Sequence, residues 1–163
     1  MARKLMKTGV PGLDEIMAGG LPRRRCILLH GGPGSGKTTL AIQFLYHGVV
    51  EFGEPGIFVT LSESPEEIRQ NMIVFGWDLA KLEEQKKLMI LDARPVTLPE
   101  EGYISPTEAL FKGEVIPFSH VMRLIREKIA EVDARRLALD SVTVLTTQYE
   151  SPFYVRQGML GLI

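Results

Sequence analysis

The stretch from Cys26 to Leu40 reads CILLHGGPGSGKTTL. An apolar run leads into a glycine-dense loop, and a lysine and two threonines then open a segment with helical apolar spacing. Gly31, Gly36, Lys37 and Thr38 fit the pattern G-x-x-x-x-G-K-[ST]. Glycine reaches backbone angles closed to other residues and lets bare N–H groups approach phosphate oxygens. The helix that follows presents free N–H groups and a partial positive charge to the same anion. Residues Gly32, Pro33, Gly34, Ser35, Gly36, Lys37, Thr38 and Thr39 are therefore the expected phosphate-binding set. Lys37 is expected at the β- and γ-phosphates and Thr38 on Mg²⁺. The competing reading, a plain glycine-rich turn, explains neither the lysine nor the strand and helix patterns on either side.

With 163 residues the chain is long enough for one cored domain and short for two. The single domain is expected to span 1–163. Lys and Arg number 19 against 20 acids, so no overall basic field recruits nucleic acid. The local cluster Arg23, Arg24 and Arg25 reads as a solvated strand entrance. A lone cysteine, Cys26, forms no internal disulfide and fits a reducing compartment. At the head of an expected buried strand it acts as a small inert hydrophobe. The basic start MARKLMKTG is followed by no apolar core of a signal, and no run approaches the ~20 apolar residues that span a bilayer. A cytoplasmic protein with no membrane segment is expected.

In chain order, Thr8 to Gly12 reads as a turn. Leu13, Ile16 and Met17 share a short helical face closed by Gly19 and Gly20. Cys26 to His30 is the expected first core strand, with His30 as an accommodated neighbour of the loop. The next helix carries Leu40, Phe44 and Gly48 beside Ala41, Leu45, Val49 and Phe52, and Gly53 with Glu54-Pro55-Gly56 stops it. Ile57 to Leu61 is a strand of the continuously apolar kind that parallel sheets bury. Ser64 with Glu67 forms a capping box with Pro65 at the first helical position, and Ile68, Met72 and Phe75 follow on one face. Glu66 and Glu67 are thereby helix-start acids, whereas Glu63 has no such local role. Asp78 caps a short helix, and Leu88 to Leu91 is the third strand. Residues 94–117, with four prolines, read as an irregular excursion. Ser119 is expected to cap a helix lined by Val121, Leu124, Ile125, Ile129 and Val132. Leu137 to Asp140 closes the series as a strand ending in an acid, the placement required to hold Mg²⁺ beside the loop. Strands alternating with helices predict a parallel sheet covered on both faces.

The segments KTGVPGLDEIMAGGLP, HGGPGSGKTT, GEPGIFVTLSESPEEIRQNM, FGWDL and LALDSV together resemble the KaiC-like branch of the RecA-type ATPases. The resemblance implies an α/β fold: a three-layer, RecA-like P-loop NTPase with a mostly parallel central sheet. It implies ATP with Mg²⁺ at Thr38 and Asp140, and a homo-oligomeric ring, a hexamer, with ATP at subunit interfaces. It also implies a catalytic base just after the second strand. The family usually carries two adjacent acids where this chain has Ser62 and Glu63, and its usual base is the first of them. With serine there, the resemblance leaves Glu63 either as the substitute base, if the strand end turns it toward the γ-phosphate, or facing a neighbouring subunit; Lys37 is the other expected catalytic residue. RecA-like domains also place a later strand between the loop strand and the Asp140 strand. On that comparison the chain is expected to be the N-terminal portion of a longer domain, incomplete at its C-terminal end, or else to need a partner segment. Two functions follow: an ATPase, or a nucleotide-binding regulatory or assembly module with little hydrolysis. A kinase reading lacks an Arg-rich lid, since Arg69 and Arg94 are isolated in the sequence.

Overall fold

The computed structural model describes residues 4–94 and 118–144. In chain order its elements are β1 (Leu5–Met6), α1 (Leu13–Ile16), β2 (Leu21–Pro22), α2 (Lys37–Phe52), β3 (Gly56–Thr60), α3 (Pro65–Ile73), α4 (Leu79–Glu84), β4 (Leu88–Asp92), α5 (Phe118–Val132) and β5 (Arg136–Asp140). From residue 95 onward the expected excursion lies outside the described residues, as does the final segment SPFYVRQGMLGLI.

The central sheet is parallel in the order β4-β3-β5. Every residue of β3 is buried, as its unbroken apolar run requires of a strand covered on both sides. Alternation of side chains divides its residues between two cores. On one side Phe58 packs with Ile42, Leu45 and Val49 of α2, Ile68 and Met72 of α3, and Leu79 and Leu82 of α4. On the other, Ile57, Val59 and Leu61 meet Ile125 and Val132 of α5. The result is three layers, the expected α/β architecture.

Local signals set most of the boundaries. Ser64 and Glu67 form the reciprocal capping box, with Pro65 at the helix start. The Ser64 N–H and hydroxyl both donate to Glu67, holding its carboxyl below the ordinary value. Asp78 caps α4 by accepting from the Lys81 N–H at 3.1 Å. Gly53, at φ 63°, turns the chain so that the N–H groups of Gly53 and Glu54 return to the Val49 and Gly48 carbonyls.

Several expectations are corrected. Cys26–His30 is not a core strand: it joins no ladder among the described residues, Cys26 is exposed, and Ile27, Leu28 and Leu29 are 47%, 68% and 42% exposed. An apolar run becomes a strand only with a neighbour for its backbone groups, and β5 pairs only with β3 among the described residues. Leu13–Ile16 is helical but buries no residue, and Ile16 is exposed. Phe52 and Phe75, assigned to apolar faces, are largely exposed, while Ile42 and Met122 are buried instead. Helix α5 already includes Ser119, which therefore stands inside its first turn rather than before it. The antiparallel β1–β2 pair was not foreseen.

Arg136 opens β5 with its side chain fully buried. Its guanidinium donates to Glu54 Oε2 at 2.6 and 2.8 Å, to the Phe44 carbonyl at 2.9 Å and to the Lys7 carbonyl at 2.8 Å. It also lies over the Phe44 ring, 4.5 Å from the centroid. Gly48 leaves the room, because a Cβ there would collide with the guanidinium. Burial alone would raise the Glu54 carboxyl, but bonds and charge from Arg23 and Arg136 outweigh it and hold the group below its ordinary value.

Two outcomes follow. Removing one partner of a buried, bonded pair leaves the other charge uncompensated, so Arg136→Met is expected to destabilise by about 3–5 kcal/mol, read from urea midpoints. Because the folded-state value of Glu54 is lowered, its contribution is complete above the unfolded value of about 4.3 and is lost as pH falls through that value toward the folded one. Glu54→Gln should therefore lower stability at neutral pH and flatten the loss on acidification, measured as denaturant midpoints across that window.

Candidate functional site

The glycine loop and the end of β5 meet at the C-terminal edge of the sheet. Gly34 and Gly36 take φ of 72° and 81°, the left-handed region where a side chain would be strained. Gly36 is the N-cap of α2, has no side-chain cap, and leads directly to Lys37. The first turn of α2 carries no acid, so nothing on the helix itself offsets its positive end. Lys37 folds back over the loop, its Nζ donating to the Gly31 carbonyl at 3.0 Å and the Gly32 carbonyl at 2.8 Å. Ser35 Oγ lies against Gly31, where a Cβ would stand only 2.6 Å away.

Thr38 closes the arrangement. Its Oγ1 donates to Asp140 Oδ2 at 2.5 Å, across 102 residues of sequence. Two hard oxygen donors thus stand together at the positive end of a helix. Mg²⁺ fits such a pair, since it takes few protein oxygens and fills its octahedron with water and phosphate.

Among the predicted residues, Lys37, Thr38 and Asp140 are brought together, Gly32, Pro33, Gly34 and Ser35 form the exposed rim, and Thr39 is half-buried in α2. Glu63 is elsewhere engaged: its Oε2 accepts from Asn71 Nδ2 at 3.5 Å, and no hydrogen bond joins it to the loop or to Asp140 among the described residues. Ser62 beside it is exposed. His30 is exposed next to the loop.

Two residues were missed. Thr60, 1% exposed, gathers the turn carrying Ser62 and Glu63, and Asn71 reaches Glu63 from α3. A threonine ending an apolar strand just before a polar turn was the available signal. The isolated arginines are paired. Arg69 holds Glu83 at 2.7 Å and Glu66 at 3.2 Å, and Arg94 holds Asp92 at 2.7 Å and keeps its carboxyl below the ordinary range. Neither forms a lid. Arg23 pairs with Glu54 at the opposite edge of the sheet, so that cluster has a structural member. No helix among the described residues is long and apolar enough to cross a membrane.

The family model described as ATPase: KaiC matches residues 6–163. A protein named UPF0273 protein MJ1359, from Methanocaldococcus jannaschii, is 43% identical over 158 residues, covering 97% of this chain and 61% of that protein. The circadian clock oscillator protein KaiC of Synechococcus elongatus is 42% identical over 97% of this chain and 28% of its own length. The crystal structure of the KaiC-like protein PH0186 from Pyrococcus horikoshii superposes with a TM-score of 0.77 at 34% identity, covering 99% of this chain and 64% of that one. The chain therefore spans less than two thirds of each of these proteins. With the glycine loop meeting a strand-end acid on a parallel sheet, and a family match along nearly its whole length, this chain belongs to the KaiC family of P-loop ATPases.

Proposed function

We propose that the chain binds ATP with Mg²⁺ through residues 31–39 and Asp140 and hydrolyses it. The observation that carries this reading is the contact between Thr38 Oγ1 and Asp140 Oδ2. It joins the start of α2 to the end of β5, so Thr38 Oγ1 and Asp140 Oδ2 are the protein oxygens that would hold the metal. Bound Mg²⁺ would supply charge neutralisation at the phosphates. Loop N–H groups bind and orient the phosphates, and Lys37 adds a point charge. Glu63 accepts one proton from the water whose oxygen forms the new bond to the γ-phosphorus. The bond to the bridging oxygen breaks, and ADP leaves with that electron pair. The reading extends to a cytoplasmic homo-oligomeric ring, a hexamer, with ATP at subunit interfaces.

A second reading is favoured by Ser62, which is exposed and cannot act as a carboxylate base. Here the chain is a nucleotide-binding regulatory or assembly module, and ATP acts by stabilising the folded, assembled state.

Three variants separate these. Loss of a charge-assisted contact predicts that Lys37→Ala weakens ATP affinity roughly 10- to 100-fold, measured with a fluorescent ATP analogue. Turnover that survives this change sinks the ATPase reading. Asp140→Asn should remove most of the Mg²⁺ dependence of binding in the same titration. Glu63→Gln should leave binding in place and lower turnover by about 10²–10⁴. Tight binding with a turnover equal to that of Glu63→Gln supports the module instead.

A further inference from the structure

We propose that Thr60 and Asn71 are positioning residues that set the direction of the Glu63 carboxylate. The proposal rests on the reading of Glu63 as the base.

Thr60 ends the central strand and is 1% exposed. A buried hydroxyl needs partners, and this one has three in the turn that follows. It donates to the Glu63 carbonyl at 2.7 Å, and it accepts from the Glu63 N–H at 3.1 Å and the Ser62 N–H at 3.3 Å. These bonds close the turn on the side chain, fixing the backbone at Ser62 and Glu63 and hence the direction of the Glu63 Cα–Cβ bond. In the ladder, Thr60 stands opposite Asp140 on one side and Asp92 on the other. The anchor of Glu63 is thereby one strand, about 4.8 Å, from the backbone that carries Asp140.

Asn71 provides the second point. From α3, whose start is locked by the capping box, its Nδ2 reaches Glu63 Oε2 at 3.5 Å. That contact leaves the other carboxylate oxygen as the proton acceptor. Backbone and side chain are thus located by two different elements, the end of β3 and the second turn of α3.

The test compares Thr60→Val, Thr60→Ser, Asn71→Ala and Glu63→Gln with the parent chain in ATP turnover, in affinity for a fluorescent ATP analogue and in thermal midpoint. Thr60→Val keeps the shape without the hydroxyl, and should lower kcat roughly tenfold or more, the equivalent of one hydrogen bond, with affinity changed less than about twofold. Thr60→Ser should restore kcat. Asn71 is exposed, so Asn71→Ala tests the second point without disturbing the core, and should lower kcat about two- to fivefold at unchanged affinity and thermal midpoint. Parent-like kcat in both Thr60→Val and Asn71→Ala overturns the proposal, as does a Thr60→Val loss that serine does not restore. Turnover indifferent to Glu63→Gln overturns the underlying base assignment, and the positioning role with it. Turnover sensitive to Glu63→Gln but not to Thr60→Val or Asn71→Ala overturns the positioning role alone.

Discussion

The buried guanidinium of Arg136 fixes α2 against β5, and the candidate site depends on that alignment. At the start of β5 it takes the Phe44 carbonyl and packs into the space left by Gly48, while Glu54 neutralises it and the Lys7 carbonyl ties in the N-terminal segment. At the far end of the same strand, Asp140 accepts from Thr38. The two lengths agree. From Arg136 to Asp140 the strand rises about 13 Å. From Thr38 to the Phe44–Gly48 region the helix rises about 9–15 Å. A helix and a strand running in opposite directions are thus joined at both ends, one joint a neutralised buried charge and the other a hydroxyl on a carboxylate.

Such a pair of joints has an energetic asymmetry. The Arg136 end is dry, so its attraction is offset by the cost of removing two charges from water, and its net stabilisation is modest while it is intact. Its specificity is larger: only one placement of α2 supplies Glu54, the Phe44 carbonyl and the glycine gap together. The Thr38 end faces the edge of the sheet, where the same oxygens can exchange partners.

Much of this was legible. The boundaries of β3, β4, β5, α2, α3 and α4 follow from local chemistry: Ser64 with Glu67, Asp78, Gly53, and apolar runs of strand length. The placement of the glycine loop at the start of α2, and of Asp140 at the end of β5, was legible because a glycine-dense turn opens a helix and an apolar run ending in an acid marks a strand end. Three things were not. Cys26–His30 has the composition of a strand, but pairing is a property of two segments, and one segment cannot reveal it. β1 and β2, of two residues each, are too short to show alternation. Arg136 and Asn71 take their importance from partners distant in the chain or on another element, and neither charge nor periodicity marks them. Thr60 falls between, since its place at a strand end was visible but its bonds were not.

Lys37 carries one more consequence. An ammonium has three protons, and the Gly31 and Gly32 carbonyls take two of them. The residue is thus an internal brace of the loop as well as a charge, and the fold has already immobilised the most flexible side chain of the site. Among the described residues the ammonium keeps one donor beyond these two bonds, and its side chain has little freedom left to lose. Arginine would keep the charge but not the function of the brace: its planar fork is built for carboxylate and phosphate oxygens in one plane, whereas these two carbonyls belong to successive residues of a turning chain. The lysine is required here as much by the loop as by whatever the loop holds.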